Sequence, residues 1–275
     1  MFPYDIHIHS NFSDGDFPPE VVFMRAKSAG LKGIVVSDHN ITKQFEIIDE
    51  LARKNDLWTC QGVEVTGSFE DMDIHILGYS LKFDIRTLNT GLKPIQEGYN
   101  ERAQIILEKL KINANIDIDF NTLLQSKAAG VVYRYNIAQA IVAVQNMALK
   151  DAQKMIGRSG IAWEPYGDWV PKPADIVAMI HNAHGIAVLA HPGDMKRSAH
   201  DITQTKQNIE SLISELVKHG LDGIEVQHSS HSPGDVTYFK QLAREHNLIA
   251  TGGSDWHGEI HHPEITMGMA GLTES

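Results

Sequence analysis

Cysteine is nearly absent: Cys60 is the only one in 275 residues, so no intramolecular disulfide can form and a reducing compartment is compatible. Its place in the apolar run Leu57 to Val65 predicts core packing for it. No stretch offers the roughly 20 apolar residues of a membrane span, and no charged leader or long apolar segment precedes the first strand at Tyr4. A cytoplasmic location with no membrane partner is expected. Positive charge is also scarce, with 24 Lys and Arg against 35 Asp and Glu and a formal net charge of -11. That balance argues against duplex DNA as a partner. A small phosphorylated substrate stays compatible, because divalent cations at a local site would offset the negative charge. Gly-x-Ser-x-Gly, the turn that presents a nucleophilic serine, is missing, as is the phosphate-cradling Gly-x-x-x-x-Gly-Lys-[Ser/Thr] loop. There is no low-complexity tract and no internal repeat.

What the chain does have is histidine, 15 in all, and their placement matters more than their number. Tyr4 to His9 alternates Ile6 and Ile8 with His7 and His9, a half-buried strand that puts both imidazoles on one face. Asn11 to Gly15 reads as a turn, and Pro18-Pro19 opens a helix that Gly30 ends. Gly33 to Ser37 is a short apolar run typical of a buried parallel strand and leads into Asp38-His39-Asn40. A helix is predicted from Thr42 to Asn55, a strand from Leu57 through Val65 carrying Glu64, and a short strand from Asp73 to Tyr79 carrying His75. Between about Asp84 and Pro173 the periodicity becomes helical: Pro94 to Lys111, Phe120 to Gln125, Asn136 to Met147 and Lys150 to Ile156. Alternation then resumes with helix Pro173 to Ala183, strand Gly185 to Ala190 leading to His191, helix Thr205 to Lys218, strand Asp222 to Val226, helix Pro233 to Glu245 and strand Leu248 to Gly252.

This order predicts an α/β chain of about seven strands, one short of a regular parallel barrel. Residues 1–84 and 173–275 are expected to form the barrel, and 85–172 a helical insertion that acts as a substrate lid. In parallel barrels the chemistry sits at the C-terminal strand ends. His7, His9, Asp14, His39, Glu64, His75, His191, Asp255 and His257 all fall at or just beyond the predicted strands. A lone histidine beside a strand is more often a hydrogen-bonded core residue than a ligand. Two features go further: the same-face pair His7 and His9, repeated by Asp255 and His257 behind Gly252-Gly253, and a carboxylate at Glu64 whose burial would be costly unless paired or bound to a cation. One multinuclear metal site fits them all. Mixed nitrogen and oxygen ligation suits Mn, Fe or Zn better than Ca or Mg. Close divalent cations lower the pKa of a shared water and neutralise charge on phosphoryl oxygens. A metal-bound hydroxide is the expected nucleophile.

His7-Ile8-His9-Ser10, Ser13-Asp14-Gly15, Ser37-Asp38-His39-Asn40, Gly62-Val63-Glu64, His75, His191-Pro192 and Ser254-Asp255-Trp256-His257, in that order, resemble the motifs of the PHP family, the polymerase and histidinol phosphatase domain. Glu64-Val65-Thr66, Ile74 to Tyr79 and Leu189 to Gly193, with the helical insertion, resemble its bacterial subgroup acting on nucleoside 3′,5′-bisphosphates and short RNA 5′ ends. The resemblance implies a distorted seven-stranded (β/α) barrel and three divalent ions. It places His7, His9, Glu64 and Asp255 on the first ion, Glu64, His75 and His191 on the second with Glu64 bridging, and Asp14, His39 and His257 on the third. Arg134 and Arg158, at the two ends of the inserted helices, resemble the subgroup's phosphate-contacting arginines. His231, after the strand ending at Val226 and ahead of a helix N-terminus that favours anions, is a second candidate donor or general acid. The expected substrates are nucleoside 3′,5′-bisphosphates, nucleoside monophosphates and short RNA 5′ ends. A phosphatase of histidinol phosphate or of cyclic and sugar phosphates shares this chemistry, and a non-catalytic metal-binding module is the alternative from another class. That module would lack a ligand, and the ligand pattern here has no gap. An amidohydrolase would use a bridging Lys, and no Lys stands at a strand end in these motifs.

Overall fold

The computed structural model describes residues 1–70, 72–195 and 202–273. Strand β1 (Tyr4–Ile8) pairs in parallel with β2 (Gly33–Val36) across helix α1 (Pro19–Ser28). Pro19 at the first helical position supplies the fixed φ a helix start needs. Helix α2 (Ile48–Asn55) is preceded by a 3-10 turn at Lys43–Glu46, which divides the helix predicted from Thr42. Strands β3 (Gln61–Phe69), β4 (Met72–Ser80), β5 (Ile186–Leu189), β6 (Gly223–His228) and β7 (Ile249–Gly253) form a second sheet in sequence order. Isolated bridges link the two sheets, His39 with Glu64 on one side and Ile8 with Trp256 on the other.

The sheet departs from the all-parallel order of a regular (β/α) barrel. Strand β4 runs antiparallel to both β3 and β5. A parallel return needs a crossover of a dozen or more residues, and only Glu70 and Asp71 separate β3 from β4. The hairpin extends β3 to Phe69, beyond the predicted end at Val65. It also places His75 opposite Thr66, on the same face as Glu64 and within diagonal reach of it. His75 and Glu64 therefore lie inside strands rather than at C-terminal ends. Leu77 and Tyr79 continue that face into a small core with Ile6, Val35, Val188 and Ala190. Cys60 packs against this core half-buried, short of the full burial predicted, and burial pushes its thiol up to about 12.

Helix α3 (Ile85–Ala114) begins nine residues before Pro94, where the sequence pattern had placed its start. An interior proline costs a helix about 3 kcal/mol. Asp84 offsets part of that by capping Arg86 N and Thr87 N at 3.1 and 3.3 Å. Leu88, Leu92 and Ile95 offset more, since each is buried in the main core and a buried aliphatic side chain contributes about 1.5–3 kcal/mol. Further along, Ala103, Ile106, Leu107 and Leu110 of α3 enter a separate core. They join residues of α5 (Arg134–Gln145) and α6 (Leu149–Ile156), with α4 (Phe120–Gln125) at its edge. The return segment is pinned to α3: Arg102 donates to Glu164 O at 2.9 and 2.7 Å, and Lys109 donates to Trp163 O at 2.7 Å. Gly98 is required there, because a Cβ would lie 2.0 Å from the Trp169 ring.

Helices α7 (Pro173–Asn182), α8 (Ile202–Lys218) and α9 (Pro233–Glu245) alternate with the last strands as expected. On α8, Ile209, Leu212, Ile213 and Leu216 are buried at the spacing of one helical face. Among the described residues no helix is long and apolar enough to cross a membrane. Because the second core is separate, Ile141→Ala, at a fully buried position, should destabilise the inserted helices by about 2–5 kcal/mol without loosening the strands. Hydrogen exchange should quicken in α5 and α6 while β1 and β7 keep their protection; equal loss in both would show one cooperative unit.

Candidate metal centre

Glu64 is the hub. It is fully buried, and its Oε2 lies 3.3 Å from His7 Nε2, 3.1 Å from His9 Nε2 and 3.1 Å from His39 Nδ1. Its Oε1 lies 2.9 Å from both His75 Nδ1 and His191 Nε2. Asp255 adds an oxygen 3.4 Å from His7 Nε2 and 3.1 Å from His9 Nε2. Asp14 lies 3.3 Å from His257 Nε2 and 3.9 Å from His39 Nε2. All nine predicted ligand residues are thus brought into one region. Their donor atoms fall into overlapping groups: His7, His9, Glu64 and Asp255; His9, Asp14, His39 and His257; and His39, Glu64 and His75. His191 joins through Glu64 Oε1 and through His75, whose Nδ1 is 3.2 Å from its Nε2.

The donor set fits cations. His7 Nε2, both ring nitrogens of His9, His39 Nδ1, Glu64 Oε2 and Asp255 Oδ1 are buried without a hydrogen-bond partner. Buried polar atoms normally find one. These crowd together without the geometry to bond one another, as ligand atoms do around a metal ion. Charge accounts for the rest. Burial opposes ionisation of Glu64, yet His75, His39 and His7 hold its carboxyl well below the usual carboxylate range. Burial likewise opposes ionisation of Asp14 and Asp255, and the surrounding imidazoles, with His257 and His7 foremost, depress both. In return, and against burial, His257 is raised to about 10 by Asp14 and Asp255, and His191 to about 9 by Glu64. His39 goes the other way, to about 3, because burial outweighs its two carboxylates.

Local structure delivers these side chains. Asp38 accepts from Ser10 N, Ser10 Oγ and Ser13 Oγ at 2.6 to 2.7 Å, shaping the turn that presents Asp14. Asn40, at φ 53°, exchanges hydrogen bonds with Thr66 and ties the loop bearing His39 to β3. Asp255 and His191 also have positive φ, at 57° and 22°, a backbone cost that the surrounding contacts must hold in place. Gly253 lets β7 approach β1, since a Cβ there would sit 2.2 Å from His7 Cβ. Asp5, buried beneath that contact, accepts from Ser254 N and Gly268 N at 2.8 Å.

A cleft of about 280 Å³ opens on this cluster. Asp14, His39 and His75 form one wall, and Tyr99, Tyr133, Arg134, Gln153 and Tyr166, all from segment 85–172, form the other. Arg134 is half-buried, with its guanidinium carbon 5.6 Å from the Trp163 ring centre. Arg158 is exposed and sits 5.9 Å from the same ring without lining the cleft. His231 is engaged elsewhere: its Nδ1 bonds Val226 O at 2.9 Å and its Nε2 accepts from Gly193 N at 3.1 Å. Burial lowers it to about 4, leaving it neutral. Through these two bonds His231 ties the loop after His191 to the end of β6.

The PHP domain family model matches residues 5–229. The chain belongs to the PHP family. Among PHP relatives, the 5'-3' exoribonuclease Rnm of Escherichia coli (strain K12) is 30% identical over 260 residues, covering 92% of this chain and 85% of that protein. A 3',5'-nucleoside bisphosphate phosphatase of Chromobacterium violaceum is 30% identical over 262 residues, covering 94% and 88%. A crystal structure from Bifidobacterium adolescentis, assigned as a metal-dependent phosphoesterase, superposes with a TM-score of 0.83 at 25% identity, covering 98% of this chain and 92% of that one.

Sequence reasoning missed several residues of this PHP site. Glu225 lies 3.1 Å from His7 Nδ1, and His228 Nε2 lies 3.6 Å from Asp255 Oδ2. His261 lines the cleft, stacked on Tyr135 at 3.6 Å. The available signal was a carboxylate inside the apolar strand Gly223 to Val226, unusual unless paired.

Protonation makes the site's cation affinity depend on pH. In the metal-free protein His257 and His191, raised to about 10 and about 9, hold protons at pH 7, and ligation removes them. Loading with Mn at pH 7 should therefore release protons, and apparent affinity should climb with pH up to about 9–10. Raised histidines stabilise the metal-free fold fully below their ordinary 6.5 and lose that contribution as pH rises through those values. Chelated protein should melt lower at pH 10 than at pH 7. A pH-stat titration showing no proton release at pH 7 would count against ligation by these two residues.

Proposed function

We propose that this metal-dependent phosphoesterase hydrolyses phosphate esters of small nucleotides: a nucleoside 3′,5′-bisphosphate, a nucleoside monophosphate or the 5′ end of a short RNA. The observation that carries this reading is the two-walled cleft, with the imidazole and carboxylate cluster on one side and Arg134 among tyrosines on the other. A substrate with one reacting phosphate and a second anionic group spans such a cleft. The two relatives named for RNA and for a nucleoside bisphosphate share that substrate chemistry.

In this reading residues 1–84 and 173–275 form a distorted seven-stranded barrel, closed by the bridges between its two sheets, and 85–172 is the lid. The site takes three divalent ions, Mn, Fe or Zn. His7, His9, Glu64 and Asp255 would hold the first, Glu64, His75 and His191 the second, and Asp14, His39 and His257 the third. Such ions supply Lewis acidity to phosphoryl oxygens and lower the pKa of water. The chain's own residues orient the ester and keep bulk water out. Tyr99, Tyr133 and Tyr166 place flat faces and hydroxyls beside His39 and His75, and Tyr133 Oη bonds His39 O. Arg134, set against Trp163, stays charged at any working pH and offers planar, paired donors to a phosphate. Arg158, on the same ring, would meet the longer substrates. The lone Cys60, with its raised thiol, suits a reducing cytoplasm.

Two experiments test this. Glu64→Gln should lose metal and turnover together, because an amide oxygen cannot neutralise two cations; elemental analysis of Mn-reloaded wild type should give close to three ions per chain. A variant with full metal content and activity would remove Glu64 from its bridging place. Arg134→Ala should lower kcat/KM on a nucleoside 3′,5′-bisphosphate about 10- to 150-fold, the equivalent of a charge-assisted contact of about 1.5–3 kcal/mol. An aryl phosphate, lacking the remote group, should lose much less. Arg158→Ala should show the same contrast, strongest on short RNA. Equal losses on both substrates would favour a simple phosphatase.

A further inference from the structure

We infer that Glu225 is a positioning residue that orients ligands of two neighbouring cations at once, an inference that rests on His7 and His191 being ligands. Glu225 is fully buried at the middle of β6 and does not line the cleft. Its two oxygens lie 3.1 and 3.3 Å from His7 Nδ1, and its Oε2 also accepts from His191 N at 2.8 Å. A carboxylate can only accept. With a cation bound, a neutral His7 would keep its proton on Nδ1, leaving the Nε2 lone pair for an ion shared with Glu64 and Asp255, whose oxygens lie 3.3 and 3.4 Å from Nε2. The same carboxylate holds the backbone of His191 in its positive-φ conformation. That turns the ring to Glu64 Oε1, at 2.9 Å.

His7, Glu225 and His228 also lie close enough together to suggest a separate ion, but their hydrogen bonds favour support. His228 Nδ1 accepts from Ser230 N at 3.2 Å, so in the neutral ring the proton is on Nε2, which faces Asp255 Oδ2 at 3.6 Å. A protonated nitrogen has no lone pair for a cation. His7 could ligate on that side only by giving up the Nδ1 proton that Glu225 receives. The trio is thus a layer behind the ligands: Glu225 sets His7 and His191, and His228 faces Asp255.

Carboxylates behind metal-bound histidines typically change metal affinity about 10- to 100-fold. Mn affinity, read by competition with a fluorescent chelator, should weaken by that range in Glu225→Ala and by less in the isosteric Glu225→Gln. Val226→Ala, next along the strand and buried in the core, should lower Tm while leaving Mn affinity unchanged. The decisive readout is coupling. His7→Ala with Glu225→Ala should lose less affinity than the sum of the two single changes, because Glu225 acts partly through a ring already removed. Additive losses, or unchanged affinity in both Glu225 variants while His7→Ala weakens binding, would overturn the positioning role. Unchanged affinity in His7→Ala would instead sink the ligand assignment beneath it, and no outcome depends on the substrate.

Discussion

The structure depends on a buried carboxylate. Glu64 is shut away from water at the meeting point of five imidazoles, and an unpaired charge there would cost several kcal/mol. Its partners arrive from β1, the loop after β2, β4 and the end of β5. Those segments must converge for the charge to be tolerable. In the metal-free chain, the raised His257 and His191 offset Asp14 and Glu64; with cations bound, the same nitrogens would be free to act as ligands. Folding, proton binding and metal binding are therefore linked through one group.

That convergence is held by acids which never reach the cleft. Asp5 fastens the turn after β7, Asp38 shapes the turn before Asp14, and Glu225 sets His7 and the backbone of His191. Each is fully buried, and each accepts several donors. Loop backbone at φ values that only a well-determined surround can impose completes the arrangement at Asn40, His191 and Asp255.

Helix α3 joins the two cores, with its first half packed in the main one and its second half in the other. Of the cleft wall, α3 itself carries Tyr99, while Tyr133 and Arg134 stand at the start of α5 and Tyr166 lies in the segment that leads to α7. Tyr99 and Tyr133 of that wall belong to the main core, so the cleft is not divided between the two cores.

Much was legible locally. Alternation set His7 and His9 on one face, helix α9 falls at its predicted bounds, Pro233 to Glu245, and all nine ligand candidates lie in one region, although Glu64 and His75 stand inside strands rather than at their ends. The antiparallel β4 is not evident in that pattern, because the predicted strand ends at Val65 and only the extension of β3 to Phe69 brings the two strands into a hairpin. What only the tertiary structure decided are pairings across long separations. His7 meets Glu225 218 residues away, and no local period reports on such a partner. The same holds for His231, whose two ring nitrogens meet Val226 O and Gly193 N. The early start of α3 despite Pro94 is a further instance, since burial of Leu88 and Leu92 overrides propensity. The sequence by itself determined which side chains could bind a cation, because ligand chemistry belongs to the residue. Which of them face it, and which stand behind to aim them, was left to the fold, because hydrogen-bond direction and burial depend on neighbours far away in the chain.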